Sequence, residues 1–248
     1  MNYHWDWGVF FRSTGVGHEI YLDWFFQGLG MTLGLALCGW IIALVLGTVL
    51  GVMRTLPGRV LPFIAGAYVD LFRNVPLLVQ LFIWYYVIPD WLPDSIGNWL
   101  KQDISPTTNA FITVTVCLGL FTAARVCEQV RTGIQALPRG QAGAGYALGL
   151  TLTQVYRHVV VPQAFRIIIP PLTSEFLNII KNSSVASLVA LPELLGQTKQ
   201  LVDFSAAQFE AYTVGTLIYF VVNIGLMLFM RWIEKRLRVP GLIALGGK

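Results

Sequence analysis

Six ionisable side chains fall inside long apolar stretches: Asp70, Arg73, Arg125, Glu128, Glu175 and Lys181. A charge at bilayer depth costs at least about 2.5 kcal/mol, so it faces a cavity or a partner. Groups of these types can contact a polar solute in a cavity near mid-membrane. Interhelical ion pairing and hydrogen bonding are the plainer use of the same residues. Asp70 and Arg73 are three apart on one helix face, which predicts an ion pair. Pro76 removes the N–H that would bond the Phe72 carbonyl, so the helix opens beside Arg73 and Asn74. Freed backbone at that depth is tolerated where it lines a cavity. Glu175 and Lys181 are six apart and need different partners. Thr173, Ser174, Glu175 and Asn178 make one polar strip, and Lys181-Asn182-Ser183-Ser184 ends the helix. Arg125, Glu128 and Arg131 form a ladder at helical spacing near one membrane face.

No bond-breaking set accompanies them. His4, His18 and His158 lie far apart and outside the apolar stretches. Gly246-Gly247-Lys248 lacks the hydroxyl residue and following helix of a phosphate loop. Neither Gly-x-Ser-x-Gly nor His-Glu-x-x-His occurs. Cys38, Cys117 and Cys127 sit in apolar helical segments, as small buried side chains rather than a disulfide framework or metal site.

The elements that position these residues follow from composition. Of 248 residues, 55% are hydrophobic and 12% charged, against about 25% charged in soluble domains. The expectation is an all-α integral membrane protein. A span needs about 20 apolar residues, and five segments qualify: 25–52, 61–88 (interrupted at 73–76), 110–130, 165–180 and 212–232. Gly30-x-x-x-Gly34 and Gly47-x-x-x-Gly51 in the first allow close helix approach. Ser187 to Leu195 is apolar but too short to span, and reads as re-entrant or packed between helices. Residues 1–23 are polar and aromatic, without the apolar core of a cleavable signal peptide. Trp5, Trp7, Tyr21 and Trp24 suit a membrane interface. The expected organisation is an external segment 1–23, a membrane domain 24–233 and a basic tail 234–248.

Orientation follows from the basic residues. With the loop 137–162 in the cytoplasm, eleven of the seventeen Lys and Arg fall on that face: Arg54, Arg59, Arg131, Arg139, Arg157, Arg166, Arg231, Lys235, Arg236, Arg238 and Lys248. Nine of the thirteen acids, Glu193 and Glu210 among them, fall on the other. The N-terminus is then outside and the C-terminus inside. The net charge of +4 is a topology signal here, not a sign of nucleic-acid binding.

That cytoplasmic loop has internal order. Ala142 to Leu148 reads as a short helix, and Gly149 supplies a cheap left-handed stop. Thr151 with Gln154 is a capping-box pattern opening a second helix, which carries Arg157 and His158 and ends at Pro162. Ala147, Leu148 and Leu150 make an apolar knob at the bend, either packed on the chain's own membrane domain or plugged into another protein's groove.

This loop resembles the "EAA" loop of ABC-importer permeases: Ala144 takes the first alanine place, Gly149 the glycine, Val159 the isoleucine and Pro162 the proline. Gly143 stands for the usual Glu and Gly145 for the second Ala, so the bend is kept without that carboxylate. Arg73-Asn74-Val75-Pro76-Leu77-Leu78-Val79-Gln80 is similar to the family's Arg-Gly-Thr-Pro-Leu-Leu-Val-Gln, and Glu128 through Gln141 and Glu175 through Gly196 match two further blocks in order and spacing. The chain is identified as resembling permease subunits of polar amino-acid ABC importers, of the histidine/glutamine/glutamate type and most similar to glutamate/aspartate permeases. The resemblance implies a five-helix type I importer permease fold. It implies a dimer of cytoplasmic ATP-binding subunits that bind ATP and Mg, a sister or identical permease, and a periplasmic or extracellular amino-acid-binding protein. The chain itself would carry no ATPase site and no cofactor, sit in membrane lipid of the bacterial cytoplasmic membrane, and bind no nucleic acid. ATPase coupling would fall to Ala144, Ala147, Leu148, Gly149, Leu150 and Thr151. The substrate pathway would be lined by Arg73, Asn74, Gln80, Glu175, Asn178 and Lys181, with Glu175 accepting an ammonium group and Arg73, Asn74 or Lys181 donating to a carboxylate. Two other readings also use the buried charges: an ion-gradient secondary transporter and a non-transporting membrane scaffold. Neither needs the coupling loop.

Overall fold

The structure, a computed structural model, describes residues 3–15 and 17–237. The end of the basic tail, with Arg238 and Lys248, lies outside the described residues. Among those residues there is no β-strand, only an isolated antiparallel bridge between Ser13 and Ile20.

The helices are α1 (Tyr21–Met53), α2 (Val60–Asn74), α3 (Leu77–Phe82), α4 (Ile88–Trp91), α5 (Asp94–Asn98), α6 (Pro106–Gln135), α7 (Arg139–Ala147), α8 (Leu152–Val155), α9 (Val161–Asn182), α10 (Leu194–Ser205) and α11 (Gln208–Leu237). Turns of π-helix follow α3, α5 and α8, and a 3₁₀ turn, Ser183–Val189, follows α9. α1, α6 and α11 are long and apolar enough to cross a membrane, and α2 with the helical run after Pro76 makes a fourth if counted together. The fourth expected span, 165–180, lies in α9. Arg166, Glu175 and Lys181 with Pro170-Pro171 make that helix too polar to qualify by composition.

The segment 61–88 is interrupted at Pro76, as its sequence predicts: α2 stops at Asn74, Val75 is extended, and Pro76 caps α3. The residue before a proline is driven out of the α region. Pro162, in contrast, ends nothing. α8 runs through the π turn Tyr156–Val160 straight into α9. The wider turn shifts the hydrogen-bond register, Val161 N–H bonding Tyr156 O, and Pro162 falls in the first turn of α9, where a missing N–H is cheap.

The chain divides into two compact units. One comprises Met1–Gly39, Pro76–Leu118 and Asn178–Gly225. Its core gathers Val9, Phe10, Trp24, Phe25, Leu194, Leu201 and Ala211. Glu193, expected on the outer face, is fully buried in this unit. Its carboxylate caps α10, accepting Leu195 N–H (3.0 Å) and Gly196 N–H (2.8 Å), and also takes the Thr32 (3.3 Å) and Tyr219 (2.8 Å) hydroxyls. A buried charge is tolerated when its lone pairs are filled in this way. In the same unit Cys38 is exposed rather than buried.

The other unit comprises Trp40–Val75, Gly119–Leu177 and Leu226–Lys248. Trp40, Ala43, Val126, Val130, Ile168 and Leu172 form one core cluster, and Leu50, Ala65, Val69, Ala124 and Cys127 another. Here α1 meets α6 through Gly47 and Gly51. A Cβ at Gly47 would lie 2.6 Å from Val126 Cβ, and one at Gly51 would lie 2.5 Å from Val130 Cβ. In the first motif Gly30 has nothing within 4 Å and Gly34 would make only ordinary contact with the Phe111 ring at 3.6 Å, so of the two pairs the second is the one whose close packing requires glycine.

Candidate functional site

The basic loop and the buried charges form two separate features of the second unit. In the loop, α7 ends at Ala147, and Gly149 takes a left-handed φ of +80°. That turn returns Gly149 N–H to Tyr146 O (2.9 Å) and Leu150 N–H to Gly145 O (3.1 Å), satisfying carbonyls a helix end leaves open. Thr151 then caps α8 in a full capping box: Gln154 N–H donates to Thr151 Oγ1 (3.4 Å) and Thr151 N–H to Gln154 Oε1 (2.8 Å). Tyr156 OH donates to Thr55 O (2.7 Å), tying the loop to the chain just beyond α1. A Cβ on Gly145 would sit 3.0 Å from Val155 Cγ2, so glycine at that place lets the two short helices close. Leu148 is left 82% exposed at the tip, with Ala144, Ala147 and Thr151 also exposed and Leu150 half-buried. The geometry is an apolar tip on a rigid, doubly capped bend.

The second feature is a cavity of about 220 Å³ lined by Arg73, Arg125, Glu128, Gln129 and Glu175. α2 supplies Arg73, α6 the next three and α9 Glu175. Glu128 is fully engaged: Arg131 donates through Nε (3.0 Å) and Nη2 (2.7 Å), and Arg54 donates to its other oxygen. Arg125 is not part of that ladder. Its Nη1 stands 3.9 Å from Glu175 Oε2, its guanidinium lies 5.1 Å over the Phe121 ring, and its side chain is 43% exposed. Glu175 is buried, and its Oε2 has no hydrogen-bond partner. No ion pair within 4.0 Å joins Asp70 to Arg73, so the expected α2 pair does not form. Among the described residues no group of three or more His, Cys, Asp or Glu could hold a metal ion.

Residues 39–239 match the family described as binding-protein-dependent transport system inner membrane component. The chain belongs to this family. It is 48% identical over 248 residues, all of both chains, to the glutamate/aspartate import permease protein GltJ of Escherichia coli K12. It is 35% identical to the probable glutamine ABC transporter permease protein GlnM of Bacillus subtilis 168, over 88% of this chain and 94% of that one. Its fold superimposes on a solved structure of an amino acid ABC transporter with histidines at a TM-score of 0.74 and 29% identity, covering 87% of this chain and 95% of that one. As a member of this family it is a multi-pass inner-membrane component.

Of the residues expected to line a pathway in this permease, Arg73 and Glu175 come to one cavity. Asn74 is exposed at the end of α2 and does not line it. Gln80, Asn178 and Lys181 belong to the other unit. The residue that sequence reasoning assigned elsewhere is Arg125. Its i, i+3 spacing to Glu128 is a ladder signal, but Glu128 is satisfied by Arg54 across the helix contact. The readable signal for its actual use is Phe121 at i−4, which offers a ring face to a cation on the same side of α6.

Proposed function

We propose that this chain is the transmembrane permease subunit of an ATP-driven importer for glutamate and aspartate. The observation that carries the reading is the 48% identity to a glutamate/aspartate permease over the whole of both chains. The exposed bend at Leu148 supports it, because an apolar tip on a doubly capped bend offers a separate subunit a surface to push on. In this reading ATP and Mg are bound by a separate pair of cytoplasmic ATP-binding subunits, and the chain supplies no ATPase site. Ala144, Ala147, Leu148, Gly149, Leu150 and Thr151 form the surface on which those subunits push. A sister or identical permease completes the membrane domain, and an external binding protein delivers the solute. α9 completes five spans, the N-terminus and residues 1–23 lie outside, and the basic tail from 234 lies in the cytoplasm.

The chemistry of the pathway follows from the cavity. Glu175, with one oxygen unfilled, is an acceptor for the solute's ammonium group. Arg73, which α2 brings to the same cavity, is a bidentate donor for its α-carboxylate. Nucleotide-driven closure of the ATPase pair must favour the outward-open state for transport to be coupled. The loop transmits that preference because its bend is held at both ends.

The test is amino-acid-stimulated ATPase activity in proteoliposomes holding this chain, its co-purifying subunits and its binding protein. Glutamate, aspartate, glutamine, arginine and histidine are compared, with Gly149→Asp alongside. Stimulation by the acidic amino acids, lost in Gly149→Asp at normal assembly, is the expected result. Uptake driven by a proton or sodium gradient without a co-purifying ATPase would overturn the reading.

A further inference from the structure

We propose that Arg125 is the residue that selects an acidic side chain: on solute entry it leaves Glu175 and pairs with the side-chain carboxylate of glutamate or aspartate. This deepens, and rests on, the reading of the chain as an acidic amino-acid permease.

Three observations in one cavity point to the exchange. The Arg125–Glu175 contact is loose. At 3.9 Å it is beyond hydrogen-bond distance, and Glu175 Oε2 is buried without a donor. Tight ion pairs of this kind close to about 2.7–2.9 Å, so the two charges are near each other without being spent on each other. The second observation is the open side of Arg125. Its side chain is 43% exposed against 11% for Glu175, and the Phe121 ring, not a carboxylate, supports its guanidinium. The third is charge. Glu128 is occupied by Arg54 and Arg131. Of the two arginines and two carboxylates that line the cavity, Glu128 is therefore already taken, and Arg73 and Arg125 share Glu175 as the one lining carboxylate left.

A dicarboxylic amino acid matches this set group for group. Its ammonium takes Glu175, its α-carboxylate takes Arg73 and its side-chain carboxylate takes Arg125. Glutamine presents the same first two groups but leaves Arg125 released from Glu175 with no anion to receive it. Discrimination therefore comes from an uncompensated charge in the wrong complex as well as from a bond in the right one. A cavity of about 220 Å³, below the roughly 300–1,000 Å³ of drug-sized sites, holds one such solute.

The test uses the detergent-purified transporter, this chain with its co-purifying permease and ATPase subunits, without the binding protein. Radiolabelled glutamate binding and its competition by glutamine are measured for wild type, Arg125→Gln and Arg125→Lys. Import of glutamate with the binding protein present is measured in parallel. The expected result is that Arg125→Gln lowers the ratio of glutamate to glutamine affinity roughly 10- to 100-fold, and that Arg125→Lys keeps the preference for glutamate with weaker binding. An unchanged ratio in Arg125→Gln overturns the proposal. If Arg125→Gln does not assemble, judged by co-purified ATPase, Arg125→Lys decides: a weakened complex that still prefers glutamate supports the proposal, and an equal fall for both solutes overturns it. A wild-type complex that imports glutamate but does not bind it without the binding protein overturns this inference and leaves the proposed function standing. A complex that imports neither glutamate nor aspartate overturns the proposed function itself.

Discussion

Two Gly-x-x-x-Gly motifs in one helix should respond to alanine with opposite signs. At Gly51 a Cβ would come 2.5 Å from Val130 Cβ and 2.8 Å from Cys127 O. A carbonyl oxygen and a β-branched Cβ cannot rotate away, so α1 must shift off α6. Overpacking of this kind costs about 1–3 kcal/mol, and rigid struck atoms favour the upper half of that range. Replacing a helical glycine returns about 1 kcal/mol of backbone propensity. The net for Gly51→Ala is a loss of about 1–2 kcal/mol. At Gly30 nothing lies within 4 Å, so Gly30→Ala keeps the propensity gain, about 0.5–1 kcal/mol, unopposed. The pair therefore separates by roughly 1.5–3 kcal/mol. The assay is equilibrium unfolding of the purified chain in mixed micelles, titrated with a denaturing detergent and followed by tryptophan fluorescence. If both alanines shift the midpoint in the same direction, close packing through Gly51 is not what joins α1 to α6.

Two further outcomes follow from single contacts. Glu128→Gln removes the carboxylate shared by Arg54 and Arg131, whose side chains are only 23% and 28% exposed. It should destabilise the chain by about 2–3 kcal/mol in the same unfolding assay; a midpoint equal to wild type would mean the cluster is a solvated surface pair. Near the N-terminus, the hydrogen bond from Tyr3 to the Glu210 carboxylate pushes the Tyr3 hydroxyl up to about 12 from its usual 10. A raised acid is stabilising while protonated, so this anchor is intact below pH 10 and lost as pH rises through about 12. In a spectrophotometric titration, wild type minus Tyr3→Phe should show one tyrosine ionising only near the top of that window; ionisation near 10 would show that the anchor is absent.

What could be read from the chain and what could not divides by range. The capping box at Thr151 and Gln154, the left-handed Gly149 and the break before Pro76 are settled by a few adjacent residues, and each is present. Pro162 is equally local in type, yet its effect depends on the π turn upstream, which no residue between Tyr156 and Val160 announces. The two glycine motifs are identical in pattern and differ only in what faces them, and that is a property of α6, not of α1.

The same limit explains the site. The spacing of Arg125, Glu128 and Arg131 is compatible with one ladder, and nothing local says that Arg54, seventy-four positions earlier, would complete the shell of Glu128. Once it does, Arg125 has no carboxylate on its own helix and turns to Glu175 on α9. Counting all intramembrane charges as one pool, Asp70, Glu128 and Glu175 against Arg73, Arg125 and Lys181, predicts a neutral interior. The contacts regroup that pool. Lys181 belongs to the other unit and Asp70 pairs with none of the arginines within 4.0 Å, while Arg54 and Arg131 are drawn to Glu128. A balanced composition thus becomes a cavity in which Arg73 and Arg125 share one carboxylate not already paired, Glu175, and that local arrangement, not the total, is what a small anionic solute meets.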